Sequence, residues 1–216
     1  MAKRFKLLVF DWDGTLIDSE ARIVSSFQAA IAKTDLEMRT DAQIRQIIGL
    51  GLDVAIATLY PQTSDEILNE LVNYYRRYYL TTDIESVPFP DVVPTLESLK
   101  KSGYWLAVAT GKSRAGLNRA LTESGLTAFF LTSRCADETR SKPDPQMLQE
   151  IMAELAVSPQ DTLVIGDTEY DLAMANNADV ASVAVTYGVH DKQRLLACHP
   201  LACFERLSAL PIWLNS

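Results

Sequence analysis

Phe5-Lys6-Leu7-Leu8-Val9-Phe10 is a short apolar run closed by the polar turn Asp11-Trp12-Asp13-Gly14-Thr15. Such a run, bounded by turn residues, is the pattern of a buried strand. Immediately afterwards the apolar period lengthens. Ile23, Phe27, Ala30 and Ile31 recur at helical spacing. A second helix is predicted over Asp41 to Ile48, broken at Gly49-Leu50-Gly51, and a third over Leu52 to Leu59, stopped by Pro61. Ser64 is placed to cap a fourth, which carries Leu68, Leu71, Val72 and Tyr75 to the neighbourhood of Tyr79. The stretch from Ser19 to Ile84 thus reads as all-helical.

Pro88-Phe89-Pro90-Asp91 marks a boundary, since proline ends helices and stiffens connections. Beyond it helix and strand alternate. Helices are predicted over Val92–Ser102, Ser113–Ser124, Asp144–Leu155 and Glu169–Asn176. Strands are predicted over Tyr104–Ala109, Phe129–Leu131, Thr162–Ile165 and Ala181–Val185. Alternation of this kind predicts an α/β fold, a Rossmann-like core with a central parallel sheet flanked by helices. The helical block between the first strand and the rest reads as an inserted lid. The expected division is a core of residues 1–17 and 85–216 and an inserted helical domain of residues 18–84.

The chemistry gathers at strand ends. Asp11 stands at the tip of the first strand, where open α/β sheets place their ligands. Two acids separated by one residue repel each other and lose hydration if covered, which a divalent cation and a phosphoryl group would offset. Thr110-Gly111-Lys112 follows the Tyr104 strand. Gly166-Asp167-Thr168 follows Leu163-Val164-Ile165, with Asp171 one helical turn on, and Lys142-Pro143-Asp144-Pro145 precedes a helix. Parallel strands share one C-terminal edge, so Asp11, Asp13, Thr110 and Asp167 converge there, with Lys142 delivered by a loop. Acids, a hydroxyl and a lysine are what phosphoryl transfer to a carboxylate needs.

Composition narrows the setting. The 216 residues are 48% hydrophobic and 22% charged, enough apolar material for a sizeable core. A net charge of −8 argues against bulk nucleic-acid or anionic-membrane binding. No apolar run is long enough to span a bilayer, and the basic start Ala2-Lys3-Arg4 is followed by too short a run for a secretory leader. Cys135, Cys198 and Cys203 have no metal-ligand spacing and read as small side chains in a reducing cytoplasm.

Taken together and in order, these motifs resemble those of the haloacid dehalogenase superfamily, and the match spans essentially the whole chain. The resemblance implies a hydrolase, most members being phosphatases. It implies Asp11 as the nucleophile that becomes an aspartyl-phosphate, and Asp13 as the acid and then the base. Thr110 would bind a phosphoryl oxygen and Lys142 would neutralise charge on nucleophile and phosphoryl group. It implies Mg2+ held by Asp11, the main-chain carbonyl of Asp13, Asp167 and, as ligand or neighbour, Asp171, an acid that also suits a helix N-terminus. The inserted helices resemble the small helical cap of phosphoglycolate phosphatase-like members, with Ile47-Ile48-Gly49-Leu50-Gly51-Leu52 as the specificity loop. Gly49, Gly51, Gly111, Lys112 and Arg45 are then candidate substrate contacts, while Arg76 and Arg77 read as solvated surface charge. The sequence departs from the family pattern at Gly111, where Asn is frequent, and at Asp91, where Gly is frequent.

The expected activity is Mg2+-dependent hydrolysis of small phosphorylated metabolites, with phosphoglycolate the leading substrate, by a monomer or homodimer. Two rivals share the scaffold: a phosphosugar mutase of the β-phosphoglucomutase type, and a non-catalytic binding or regulatory protein. Dehalogenation needs no acid at position 13, so Asp13 counts against it.

Overall fold

The first strand, β1 (Leu7–Phe10), is buried along its whole length at the centre of a six-stranded sheet. Its neighbours are β4 (Trp105–Thr110) and β6 (Thr162–Gly166), with Phe10 in register with Val108 on one side and Ile165 on the other. Outward from these lie β5 (Thr132–Cys135), β7 (Ala181–Val185) and β8 (Cys203–Phe204), giving the order β5-β4-β1-β6-β7-β8 with every pairing parallel. The structure is a computed structural model that describes residues 4–216, so Ala2 and Lys3 of the basic start lie outside the described residues.

A parallel sheet covered on both faces demands apolar side chains at every position of its central strand. Leu8 and Phe10 point into a cluster with Val92, Leu96 and Leu99 of α5 (Val92–Lys101), Leu117 of α6 (Arg114–Ser124) and Leu210 of α10 (Ala209–Leu214). Leu7 and Val9 point the other way, against Met147, Leu148 and Ile151 of α7 (Gln146–Leu155) and Met174 and Ala175 of α8 (Glu169–Asn177). The unbroken run of β1 is the signature of this sandwich.

The helices α1 (Glu20–Ile31), α2 (Asp41–Arg45), α3 (Leu52–Leu59) and α4 (Asp65–Thr81) build a second apolar cluster around Phe27, Ile31, Ile44, Ile56 and Leu71. Phe27 and Tyr75 pack at a tilt of 38° within it, their ring centroids 4.3 Å apart. The chain leaves the sheet through β2 (Ile17–Asp18) and returns through β3 (Val87–Pro88), and these two strands pair antiparallel. Tyr170 of α8 and Val189 pack against the helical cluster from the core side.

Three elements differ from the sequence expectation. The strand expected at Phe129–Leu131 is a single 3-10 turn over Thr127–Phe129, and β5 begins one residue after Leu131. Phe129 and Phe130 are apolar because they pack onto the core, whereas β5 is a half-buried edge strand with the polar sequence Thr-Ser-Arg-Cys. The helix expected to run to Ile48 stops at Arg45 and continues as turns. The tail adds α9 (Lys192–Leu196), β8 and α10, too short to display a period.

Leu8 is fully buried on the central strand. Leu8→Ala is expected to destabilise by about 2–5 kcal/mol, read as a lower urea midpoint at an unchanged slope. A loss below about 1 kcal/mol would show that the site collapses around the missing side chain.

Candidate active site

The sheet delivers its functional groups by register. Asp11 follows β1, and its backbone N–H donates to Ile165 O at 2.9 Å, locking it beside the end of β6. Thr110 is the last residue of β4 and Asp167 the first after β6. Lys142 comes from the loop between β5 and α7, and its buried Nζ donates to Asp11 Oδ1 at 2.5 Å and to Asp171 Oδ1 at 2.6 Å. Asp171 sits in the first turn of α8, where Asp171 Oδ2 accepts from Thr168 N at 3.1 Å and from Thr168 Oγ1 at 2.7 Å. It therefore caps a helix and anchors the lysine at once.

Asp167 is held from two sides. Thr15 Oγ1 donates to Asp167 Oδ1 at 2.7 Å and Val189 N to Asp167 Oδ2 at 2.8 Å. Gly14 has φ +83°, and a Cβ there would fall 2.2 Å from Asp167 Oδ2, so the turn after β1 admits no side chain at this point. Asp13 Oδ1 accepts from Ser19 Oγ at 2.6 Å and lies 3.0 Å from Lys112 Nζ. Lys112 also donates to Tyr79 Oη of α4 at 3.1 Å, so one lysine joins the core acid to the helical block. Lys112 N donates to Thr110 Oγ1 at 3.2 Å, which leaves that hydroxyl its own proton to give.

Burial dominates the titration of this cluster. It pushes Asp11 well above the usual carboxylate range, against the pull of Lys142 and with the help of Asp171 and Asp167. Burial, then Asp171, pushes Asp167 up to about 7, opposed by the Val189 N–H, the Thr15 hydroxyl and Lys142. Burial acts to lower Lys142, but Asp11 and Asp171 outweigh it and hold the ammonium above its ordinary value. Lys112 is likewise held up, by Asp13 above all, against its burial.

The charges do not balance. Asp11, Asp13, Asp167 and Asp171 are buried, and Lys112 and Lys142 are the cations paired with them, which leaves two negative charges uncompensated. Asp11 Oδ2 is buried with no hydrogen-bond partner, and oxygens of Asp11, Asp167 and Asp171 all lie within 4.8 Å of one another. An orphaned carboxylate oxygen and an excess of two negative charges among oxygen donors fit a hard divalent cation.

Above the cluster lies a cavity of about 1210 Å³ between the sheet edge and the helical block. Asp11, Asp13, Lys112 and Lys142 line it together with Gly49, Gly51 and Gly111. A Cβ at position 111 would fall 2.4 Å from Leu50 O and 2.8 Å from Gly49 O. The glycine that departs from the family pattern is thus the seat on which the Gly49-Leu50-Gly51 loop rests, and Gly51 N donates to Ser141 Oγ at 2.8 Å on its other side. Arg45 pairs with Glu20 of α1 and is not among the residues that line the cavity, while its neighbour Ile44 is buried.

Sequence reasoning passed over Ser19, Thr168 and Tyr79 as parts of the site. Ser19 and Thr168 were legible as polar residues at helix starts, and both serve carboxylates there. Tyr79 carried no signal, since its partner lies across a cap-like gap that periodicity does not describe.

A sequence model of the haloacid dehalogenase-like hydrolases matches residues 8–185, and the chain belongs to that family. It is 34% identical over 207 residues to a protein of Dickeya dadantii (strain 3937) named "Probable phosphatase IndB", covering 94% of this chain and 90% of that one. It is 29% identical over 217 residues to a phosphoglycolate phosphatase of Vibrio vulnificus (strain YJ016), covering 96% and 95%. A crystal structure from Haemophilus somnus 129pt, described as a predicted phosphoglycolate phosphatase, matches with TM-score 0.89 at 25% identity over 100% of both chains. Among the described residues no helix is long and apolar enough to cross a membrane.

The raised Asp167 gives a pH test. Folded Asp167 keeps a proton up to about pH 7, whereas an unfolded aspartate loses it near 3.8, so the parent loses stability as pH rises through that window. In chelator, the melting temperature of Asp167→Asn minus that of the parent should increase from pH 4 to pH 7 and then level off. Added Mg2+ should raise the parent and leave the variant behind. A difference flat with pH would remove the uncompensated charge from the account.

Proposed function

We propose that the chain is a Mg2+-dependent phosphatase of small phosphorylated metabolites, working through an aspartyl-phosphate on Asp11. The observation that carries this reading is the buried Lys142 holding Asp11 by one oxygen while the other, Oδ2, is left without a partner. A carboxylate fixed in this way keeps one oxygen uncommitted as the nucleophile. Asp11 Oδ2 attacks phosphorus and the ester P–O bond breaks, with Asp13 giving its proton to the leaving alkoxide. Asp13 then takes a proton from water, whose oxygen attacks the same phosphorus, and Asp11 and inorganic phosphate are released. Ser19 and Lys112 hold Asp13 in position for both transfers. The Thr110 hydroxyl donates to a phosphoryl oxygen. Lys142 favours the ionised form of Asp11 against the pull of burial and stays close to the phosphoryl charge.

The Asp11 carboxylate, the Asp13 carbonyl, Asp167 and Asp171 would hold Mg2+, which would supply positive charge against the phosphoryl oxygens. Residues 18–84 act in this reading as the cap that excludes water, and residues 1–17 and 85–216 as the catalytic core. Phosphoglycolate, the ester in the name of the Vibrio relative, is the reference substrate.

Asp11→Asn should abolish turnover of phosphate esters with the fold intact, and acid quench of the parent during turnover should trap phosphate on Asp11. Activity within tenfold of the parent would end the nucleophile assignment. Chelation should silence the parent and Mg2+ restore it.

Asp13→Asn should be severe in another way. Acid–base catalysis contributes about 10²–10⁴-fold, and a nitrophenolate leaving group needs less protonation than an alkoxide. In single-turnover phosphorylation the loss should be smaller for nitrophenyl phosphate than for an alkyl phosphate. Equal losses would contradict an acid at position 13.

A further inference from the structure

The reacting groups line only a small part of the 1210 Å³ cavity. Small-molecule sites measure about 300–1,000 Å³. Phosphoglycolate, whose carboxylate stands one methylene from the ester oxygen, is short against a cavity of this size.

Beyond Lys112 the cavity continues between two helices. α6 lines it with Ala115, Gly116 and Arg119, and α4 with Tyr75, Arg76 and Tyr79, each set spaced as one helical face. The two walls meet where Lys112 Nζ donates to Tyr79 Oη at 3.1 Å. Arg119 lies about 7 Å along α6 from its first residue, Arg114, and Arg76 about 5 Å along α4 from Tyr79, at about 1.5 Å of rise per residue. Between them the wall is apolar and low: Ala115 and Gly116 on one side, the Tyr75 ring packed at a tilt against Phe27 on the other.

The arginines of this cavity differ in how they are engaged. Arg140 pairs with Asp144 at 2.9 Å, whereas no carboxylate of the described residues pairs with Arg76 or Arg119, and both are exposed. The other acids of the lining stand on different elements: Asp53 on α3, and Asp137 after β5, where it accepts from Arg114 N. A chain of net charge −8 thus keeps two uncommitted cations on the far part of its active-site cavity.

We propose, resting on the phosphatase reading above, that the substrate is a phosphate ester whose leaving group has a flat apolar body ending in an anion. The body lies against Tyr75, Tyr79 and Ala115, and Arg76 and Arg119 receive the terminal anion. This distal site is separate from the one that holds the reacting phosphate, and it sets specificity against short acids such as phosphoglycolate.

Phenyl phosphate, 4-carboxyphenyl phosphate and 4-phosphonophenyl phosphate are the probes. With Mg2+, the two acidic probes should show kcat/KM at least ~5-fold above phenyl phosphate, carried by KM. The leaving phenols differ in acidity, so the ratio is compared between proteins. Arg76→Ala with Arg119→Ala should bring it to about one, and Arg77→Ala, outside the cavity lining, should leave it as in the parent. The larger gain of the two acidic probes identifies the anion as carboxylate or phosphoryl. A ratio near one in the parent, or one unchanged by the double substitution, overturns the proposal. If no probe is turned over, hydrolysis of phosphoglycolate decides the phosphatase reading, and calorimetry of 4-carboxyphenyl phosphate on Asp11→Asn protein decides the distal site alone. Binding that weakens with the two arginines removed supports it, and binding that is absent or indifferent to them overturns it.

Discussion

Burying a cluster of like charges is the constraint around which this molecule is arranged. Asp11, Asp167 and Asp171 share a small volume beneath the surface, and Lys142 is the ammonium that enters it. Removing one partner from a buried pair costs about 3–5 kcal/mol, because the remaining charge is left in a poor solvent. Every structural support nearby answers that cost. The first turn of α8 gives Asp171 backbone and hydroxyl donors, Thr15 and Val189 N do the same for Asp167, and Ser19 does so for Asp13. The one oxygen of these carboxylates that the protein leaves buried without a hydrogen-bond partner, among the described residues, is Asp11 Oδ2.

The sheet makes this placement possible without design at each residue. Three adjacent parallel strands, β4, β1 and β6, end together, so groups far apart in the chain arrive at one edge. The apolar bodies of the strands fix the register, and a slip of one residue would turn each of them inside out. Precision at the site is therefore inherited from packing beneath it, where Phe10 is flanked by Val108 and Ile165.

This is also why so much was readable beforehand. Asp11, Thr110 and Asp167 end strands whose apolar runs are visible in the sequence, and a parallel sheet brings such ends together. Asp171 suited a helix start, and the structure places it there as the cap of α8, where it also anchors Lys142. Other features were hidden for physical reasons. β5 is an edge strand with polar side chains, so the nearby Phe129 and Phe130 drew the expectation toward themselves. Arg45 belongs to a helix of 5 residues, too short for its period to show which way it points. Arg76 reads as surface charge along α4, and only the fold of the helical block over the sheet turns that surface into a cavity wall. Gly111 was noticed as a departure, but its cause is a loop more than fifty positions earlier in the chain.

The antiparallel pairing of β2 with β3 has a further meaning for how such a chain could arise. Val9 pairs with Ala107 across the whole helical block, a long loop to close before the sheet can form. Because Ile17 and Pro88 meet, the two ends of that loop are already side by side, and the sheet senses only a short connection. Closure entropy grows slowly with loop length, so a block of any size could be exchanged at this ribbon with little consequence for the strands below. The ribbon makes the sheet and the helical block separately variable: one block can be traded for another while the strands below keep their register.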